Sequence, residues 1–129
     1  MTQDEKRTFV RANHRAVLIT RRVGGRLQSS PIVCGVHDDG RIAISVTDDR
    51  AKTKNLRRDP RATVCVLNDG FFGEWTQIDG TAEIVPMPDA LDGLQDLYRQ
   101  VAGEHPDWDD YAAAMARDRR VLLLISIDG

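Results

Sequence analysis

Ile44-Ser45-Val46-Thr47-Asp48-Asp49-Arg50-Ala51-Lys52-Thr53-Lys54-Asn55-Leu56-Arg57-Arg58-Asp59-Pro60-Arg61 carries the reading of this chain. Its first residues finish an alternating run, Arg41 to Thr47. One face of that run is Ile42, Ile44 and Val46. The other is Arg41, Ala43, Ser45 and Thr47, small and polar toward its C-terminal end. A strand is expected there. A short helix follows over Asp49 to Leu56, with Asp48 or Asp49 as its cap, and it must stop before Pro60. Arg61 to Leu67 then alternates again as a strand.

The helix is basic. Arg50, Lys52, Lys54, Arg57, Arg58 and Arg61 stand against one acid, Asp59, a local charge of +5. A helix start offers unpaired backbone N–H groups and a partial positive charge, and cations beside it complete an anion site. Arg50 and Lys52 fall near that start. A phosphate site and a salt-bridged surface helix are the two readings of this pattern. Ser45 and Thr47 next to it leave room for a flat polar ligand, or form an ordinary solvent-facing strand edge.

Working outward, Asp4 to Ala12 is amphipathic, a first helix with Phe9 and Val10 inward. Ala16 to Thr20 is a strand, ended by the Gly24-Gly25 turn. Leu27 to His37 is the next, closed onto Arg41 to Thr47 by an Asp39-Gly40 hairpin. Its middle, Gln28-Ser29-Ser30-Pro31, is polar, and Pro31 demands an edge or bulge where a ligand can approach backbone. Asn68-Asp69-Gly70 turns the chain into a strand over Glu74 to Val85, with a bulge or bend expected at Gly80. Leu91, Leu94, Leu97, Tyr98 and Val101 recur at helical spacing up to Gly103, and a second helix runs from Asp107 or Trp108 to about Arg117. Val121 to Ile127 is the last strand. The order predicts an antiparallel barrel or sandwich with helices at one end.

Composition excludes several classes. The chain has 129 residues, 41% hydrophobic and 29% charged, enough for one core. Its 18 basic and 20 acidic side chains leave a net charge of −2. That small sum hides the +5 segment and an acidic one, Asp89 to Asp110, which reads as solvated helix faces. One short basic helix is too small a footprint for nucleic acid. Met1 to Lys6 is too charged for a secretory signal, and no apolar run reaches the length of about 18 residues that crosses a membrane. Cys34 and Cys65 read as buried, reduced thiols of a cytoplasmic protein, and the scattered His14, His37 and His105 make no metal site.

There is no Gly-x-Gly-x-x-Gly, no Walker loop and no Gly-x-Ser-x-Gly elbow. Any chemistry would therefore rest on a bound cofactor. The Ile44–Arg61 stretch resembles the pyridoxamine-5′-phosphate-oxidase-like split β-barrel proteins, and among them the actinobacterial group that uses the deazaflavin coenzyme F420. Gly25-Arg26-Leu27-Gln28-Ser29-Ser30-Pro31, Trp75 through Ala82, Leu97-Tyr98-Arg99 and Gly103 to Tyr111 support the likeness, as does Arg119-Arg120-Val121-Leu122. It extends over roughly residues 10–127.

The resemblance implies a mainly β (α+β) fold: one six-stranded split β-barrel over 1–129, of the FMN-binding-protein type, with peripheral helices. Residues 1–13 would be the N-terminal helix and 88–118 a helical insertion before the last strand. It implies a homodimer with the cofactor at the subunit interface. Arg50, Lys52, Thr53 and Asn55 would hold the phosphate, and Ser45 and Thr47 would line the ribityl and ring region. Gln28, Ser30 and Pro31 would lie beside the ring, and Trp75 would complete the pocket from the other subunit. Two departures stand out. Related chains continue past the last strand, whereas this one stops at Ser126-Ile127-Asp128-Gly129, so a more open substrate pocket is expected. No acid or base stands out beside the ring site. The expectation is an F420-dependent reductase acting on an unsaturated organic acceptor. The alternatives are an FMN-dependent oxidase or reductase, and a cofactor- or tetrapyrrole-binding module without turnover.

Overall fold

The computed structural model describes all residues, Met1–Gly129. In chain order the elements are α1 (Gln3–Ala12), β1 (Arg15–Arg21), β2 (Leu27–Val36), β3 (Ile42–Thr47), α2 (Ala51–Arg58), β4 (Arg61–Leu67), β5 (Trp75–Val85), α3 (Leu91–Ala102), α4 (Trp108–Arg117) and β6 (Arg120–Ile125). The six strands close into an antiparallel barrel in the order β1-β2-β3-β6-β5-β4. The expected barrel is the one found.

Alternation builds its interior. Leu18, Ile42, Ile44, Val64, Ile78, Leu123 and Ile125 point inward and are fully buried. A second apolar layer lies outside. Ala43 of β3 and Leu122 and Leu124 of β6 are buried under Leu94 and Leu97 of α3 and Tyr111 of α4. That is why β6 reads as an unbroken apolar run: both of its faces are covered.

Two departures from the sequence expectation have physical reasons. The register of β4 and β5 runs without interruption through Ala62↔Gly80, so Gly80 is no bulge. Instead β5 changes partner there, pairing with β4 up to Thr81 and with β6 from Ala82 on. The chain after β6 crosses at that point, and a Cβ on Gly80 would sit 1.7 Å from the Ser126 carbonyl oxygen. Cys34 is buried, and burial pushes its thiol up to about 12. Cys65 is only half-buried, because it faces outward on β4.

The barrel wall is open at one place. The ladder between β2 and β3 spans only Cys34↔Ile44 to Val36↔Ile42. Leu27–Val33 thus has β1 on one side and no strand on the other. Bonds from Cys34 N to His14 O (2.8 Å) and from Arg22 N to Arg26 O (2.7 Å) fix which β2 residues bond to β1. By that alternation Pro31 faces the gap, where its missing N–H costs no ladder bond. The expected edge is real.

Candidate functional site

Beside this gap lies a cleft of about 850 Å³. Pro31, Val33, Ser45 and Thr47 form its floor, on the outer faces of β2 and β3. Leu94, Leu97, Tyr98 and Val101 of α3 form one wall, with Tyr111 and Met115 of α4. Arg50, Lys52 and Arg120 close one end. The cavity is an apolar slot with a cationic terminus. A second, wholly polar hollow shares Thr47, Arg50 and Arg120 with it and opens to water.

The terminus is built by the start of α2. The N-cap is Arg50, with no side-chain hydrogen bond at the cap, and not Asp48 or Asp49 as expected. Asp48 bonds the Arg57 guanidinium, and Asp49 lies 3.7 Å from Arg119. The turn is tied from within instead: Arg50 N donates to Thr47 O (3.3 Å), and Thr53 Oγ1 donates to the same carbonyl (2.8 Å). The first-turn N–H groups of α2 are therefore left without a carboxylate cap.

Electrostatics sharpen the point. Arg117 lies beside Asp118 at 3.3 Å, so the acids of this corner all have partners. Arg50, Lys52 and Arg120 form no ion pair. Arg50 Nε donates to Thr47 Oγ1 at 3.1 Å. Arg120 Nε is buried without any hydrogen-bond partner, while its Nη1 lies 3.5 Å from Ser45 O. Burial, then the charges of Arg50 and Arg120, hold the Lys52 ammonium below the ordinary lysine value. The folded chain thus binds this proton less tightly than the unfolded chain does. Protonated Lys52 opposes folding at pH below its folded-state value, and that opposition fades as pH rises toward 10.5. An anion seated among the three cations reverses this penalty.

The ten residues suggested by sequence divide into groups. Pro31, Ser45, Thr47, Arg50 and Lys52 line the cleft. Gln28 and Ser30 alternate onto the opposite face of β2 from Pro31. They join a chain of hydrogen bonds beneath α2. Asn55 Nδ2 donates to Thr20 Oγ1 (3.1 Å), Thr20 Oγ1 to Gln28 Oε1 (3.2 Å) and Gln28 Nε2 to Ser30 Oγ (2.8 Å). Together with Thr53, these side chains fasten the helix to β1, β2 and β3 and do not line the cleft. Trp75 is 57% exposed on β5, at the far edge of the β5-β4-β1-β2 face from Pro31.

Sequence reasoning missed Arg120 and the helical wall. The register sets Arg120 directly across from Thr47, on the outer side of β6. Inward Val121, Leu123 and Ile125 imply that outward position, but only the pairing of β3 with β6 brings it to Lys52.

The amino-acid sequence matches the family model described as pyridoxamine 5′-phosphate oxidase over residues 2–128. The chain belongs to this family. Among solved structures, this pyridoxamine 5′-phosphate oxidase-family barrel is similar to a conserved hypothetical protein from Mycobacterium tuberculosis. The TM-score is 0.82 at 24% identity, over 100% of this chain and 82% of that one. An F420 reductase gives a TM-score of 0.72 at 20% identity, over 95% of this chain and 92% of that one. A haem storage protein from Vibrio cholerae gives 0.73 at 13% identity, over 98% of this chain and 89% of that one. At such identities the likeness establishes the shared fold. No helix of this family member is long and apolar enough to cross a membrane.

Proposed function

We propose that this protein binds the deazaflavin coenzyme F420 and transfers hydride from its reduced form to an unsaturated organic acceptor. The observation that carries the reading is the unpaired cation cluster, Arg50, Lys52 and Arg120, at the end of an apolar cleft. A phosphate-bearing ring cofactor fits these residues. Its phosphate would answer the orphaned Arg120 Nε and the depressed Lys52, and its ring would lie along Ser45 and Pro31. When bound, the reduced coenzyme supplies the hydride. The protein holds the phosphate, excludes water with Leu94, Leu97 and Val101, and orients the ring.

The family likeness favours a second copy of the chain at the outer face of β5, β4, β1 and β2, where Val33 and Trp75 are exposed. Pro31 and Val33 belong both to this face and to the cleft, so a homodimer through it would bring partner side chains, Trp75 foremost, to the cofactor. Light scattering is expected to give the mass of two chains; a monomer at assay concentration would remove Trp75 from the site.

Titration with F420, FMN and haem separates the readings. Tight F420 binding is expected, weaker by about tenfold or more in Lys52→Ala, the scale of a lost charge-assisted hydrogen bond. In the intact protein, affinity should fall as pH rises through the lowered Lys52 value, because the ammonium is then lost. Tight binding of FMN in preference to F420 would favour a flavin enzyme. Cofactor or haem binding without hydride transfer to any acceptor would favour a non-catalytic module.

A further inference from the structure

Arg119 follows α4 and leads into β6, and its backbone is left-handed, with a φ of 52°. Only one other residue besides the glycines, Phe71, takes a positive φ in this chain. The position comes straight after the C-cap Asp118, where helices ordinarily place glycine because a side chain there crowds the backbone. Asp118 N donates to Ala114 O (2.9 Å) and Arg119 N to Ala116 O (3.2 Å), and neither bond uses the arginine side chain.

That side chain reaches out of its own turn. The Arg119 guanidinium lies 3.7 Å from the Asp49 carboxylate, and Arg119 O accepts from Asp48 N (2.9 Å). The turn before β6 is thereby fastened to the turn before α2. Both side chains of the pair are well exposed, 68% and 62%, so it adds little to stability and does not offset the left-handed backbone.

The position of Asp49 gives the pair a different meaning. Asp49 immediately precedes the N-cap Arg50, at a helix start with no side-chain cap, and it lines the polar hollow together with Arg50 and Arg120. Released from Arg119, its carboxylate has two kinds of partner close by. These are the first-turn N–H groups of α2 and the guanidinium groups of Arg50 and Arg120. A phosphate at this corner would use the same groups. Asp48 is not free to compete in this way, because the Arg57 guanidinium holds both its carboxylate and its carbonyl oxygen.

We propose that Arg119 is a positioning residue that holds Asp49 off the anion seat, so that a carboxylate of the chain itself does not take the place of the cofactor phosphate. This rests on the reading of Arg50, Lys52 and Arg120 as that seat. Asp49 is a built-in competitor kept engaged elsewhere. The fold keeps a strained residue that does not help its own stability, and the benefit lies in affinity for the anion.

A double-mutant cycle over Arg119→Gly and Asp49→Ala tests this, read by F420 titration and by melting of the ligand-free proteins. Arg119→Gly is expected to raise Tm by about 3 °C, because glycine relieves the backbone and the freed Asp49 caps α2. The same change should weaken F420 binding about tenfold, the scale of one competing charge-assisted hydrogen bond. Asp49→Ala alone should stay within about threefold of wild-type affinity, and the double variant should return to that range. With Asp49→Ala in place, the rise in Tm from Arg119→Gly should be about half as large.

A charge acting at a distance would weaken binding by the same factor with and without Asp49, and that result would overturn the proposal. Unchanged affinity in Arg119→Gly would do the same. If none of the four proteins binds F420, the cofactor reading falls and the melts still decide the role of Arg119. An equal rise in Tm in both backgrounds then overturns it, and a smaller rise without Asp49 upholds it.

Discussion

Arg120→Met is expected to weaken F420 binding by about a hundredfold while raising the melting temperature of the ligand-free protein. The two effects have one origin. Arg120 Nε is buried with no partner, and its charge helps to depress the Lys52 ammonium. A methionine fills similar space, removes an unsatisfied donor and relieves like-charge repulsion. Replacing buried charge by well-packed apolar atoms is often stabilising, here by about 1 kcal/mol and a few degrees in melting temperature. The same donor and charge are what a phosphate would use, and charge-assisted hydrogen bonds are the strong ones. A thermal melt and an F420 titration on one preparation check both signs. A destabilised variant with unchanged affinity would mean that Arg120 is structural.

Gly80→Ala is expected to cost about 3 kcal/mol of stability and to lower the melting temperature by roughly 10 °C. The new Cβ would lie 1.7 Å from Ser126 O, a backbone atom that no rotamer change can move. The segment it would displace is tied down on both sides. Ser126 N donates to Thr81 O (3.1 Å), Thr81 N to Ser126 Oγ (2.9 Å), and Asp128 N to Asp79 O (2.8 Å). Pushing it away opens the junction where β5 passes from β4 to β6, and so loosens the barrel itself. Gly70→Ala is the control. Its nearest neighbour would be Asn68 Oδ1 at an ordinary 3.6 Å, and a change within about 0.5 kcal/mol is expected. Equal melting temperatures for the two variants would show that the crossing yields easily.

The legible parts of this molecule are those governed by local pattern. Alternation in Arg41 to Thr47 separated the core face, Ile42, Ile44 and Val46, from the cleft face, Ser45 and Thr47. The helical spacing of Leu91 to Val101 found α3, and Gly103 marked its end. The order of elements along the chain and the cationic helix start were readable for the same reason.

What escaped depends on partners distant in sequence. Arg120 reaches the site only because β6 pairs with β3, some seventy residues earlier. Gly80 looked like a local irregularity because the segment that crosses it, at Ser126, lies far later in the chain. Gln28 and Ser30 sit near Pro31 in sequence, yet strand alternation turns them to the other face, where Gln28 accepts from Thr20 and donates to Ser30. The cap was misjudged for an electrostatic reason: Arg57 and Arg119 draw Asp48 and Asp49 away from the helix start. Asp49 and Asp118 still line the polar hollow beside Arg50 and Arg120, but no carboxylate lines the cleft itself. Tyr98 was read as packing and is also wall, a double role that periodicity cannot distinguish.

Arg50, Lys52 and Arg120 are proposed as the phosphate seat of a ring cofactor whose body lies in the adjoining cleft. A crystal structure of the protein with F420 tests it most directly. Phosphate oxygens are expected within hydrogen-bond distance of Lys52 Nζ and Arg120 Nε, with the ring against Pro31 and Ser45. A phosphate bound elsewhere, or an empty cleft at saturating F420, would contradict it.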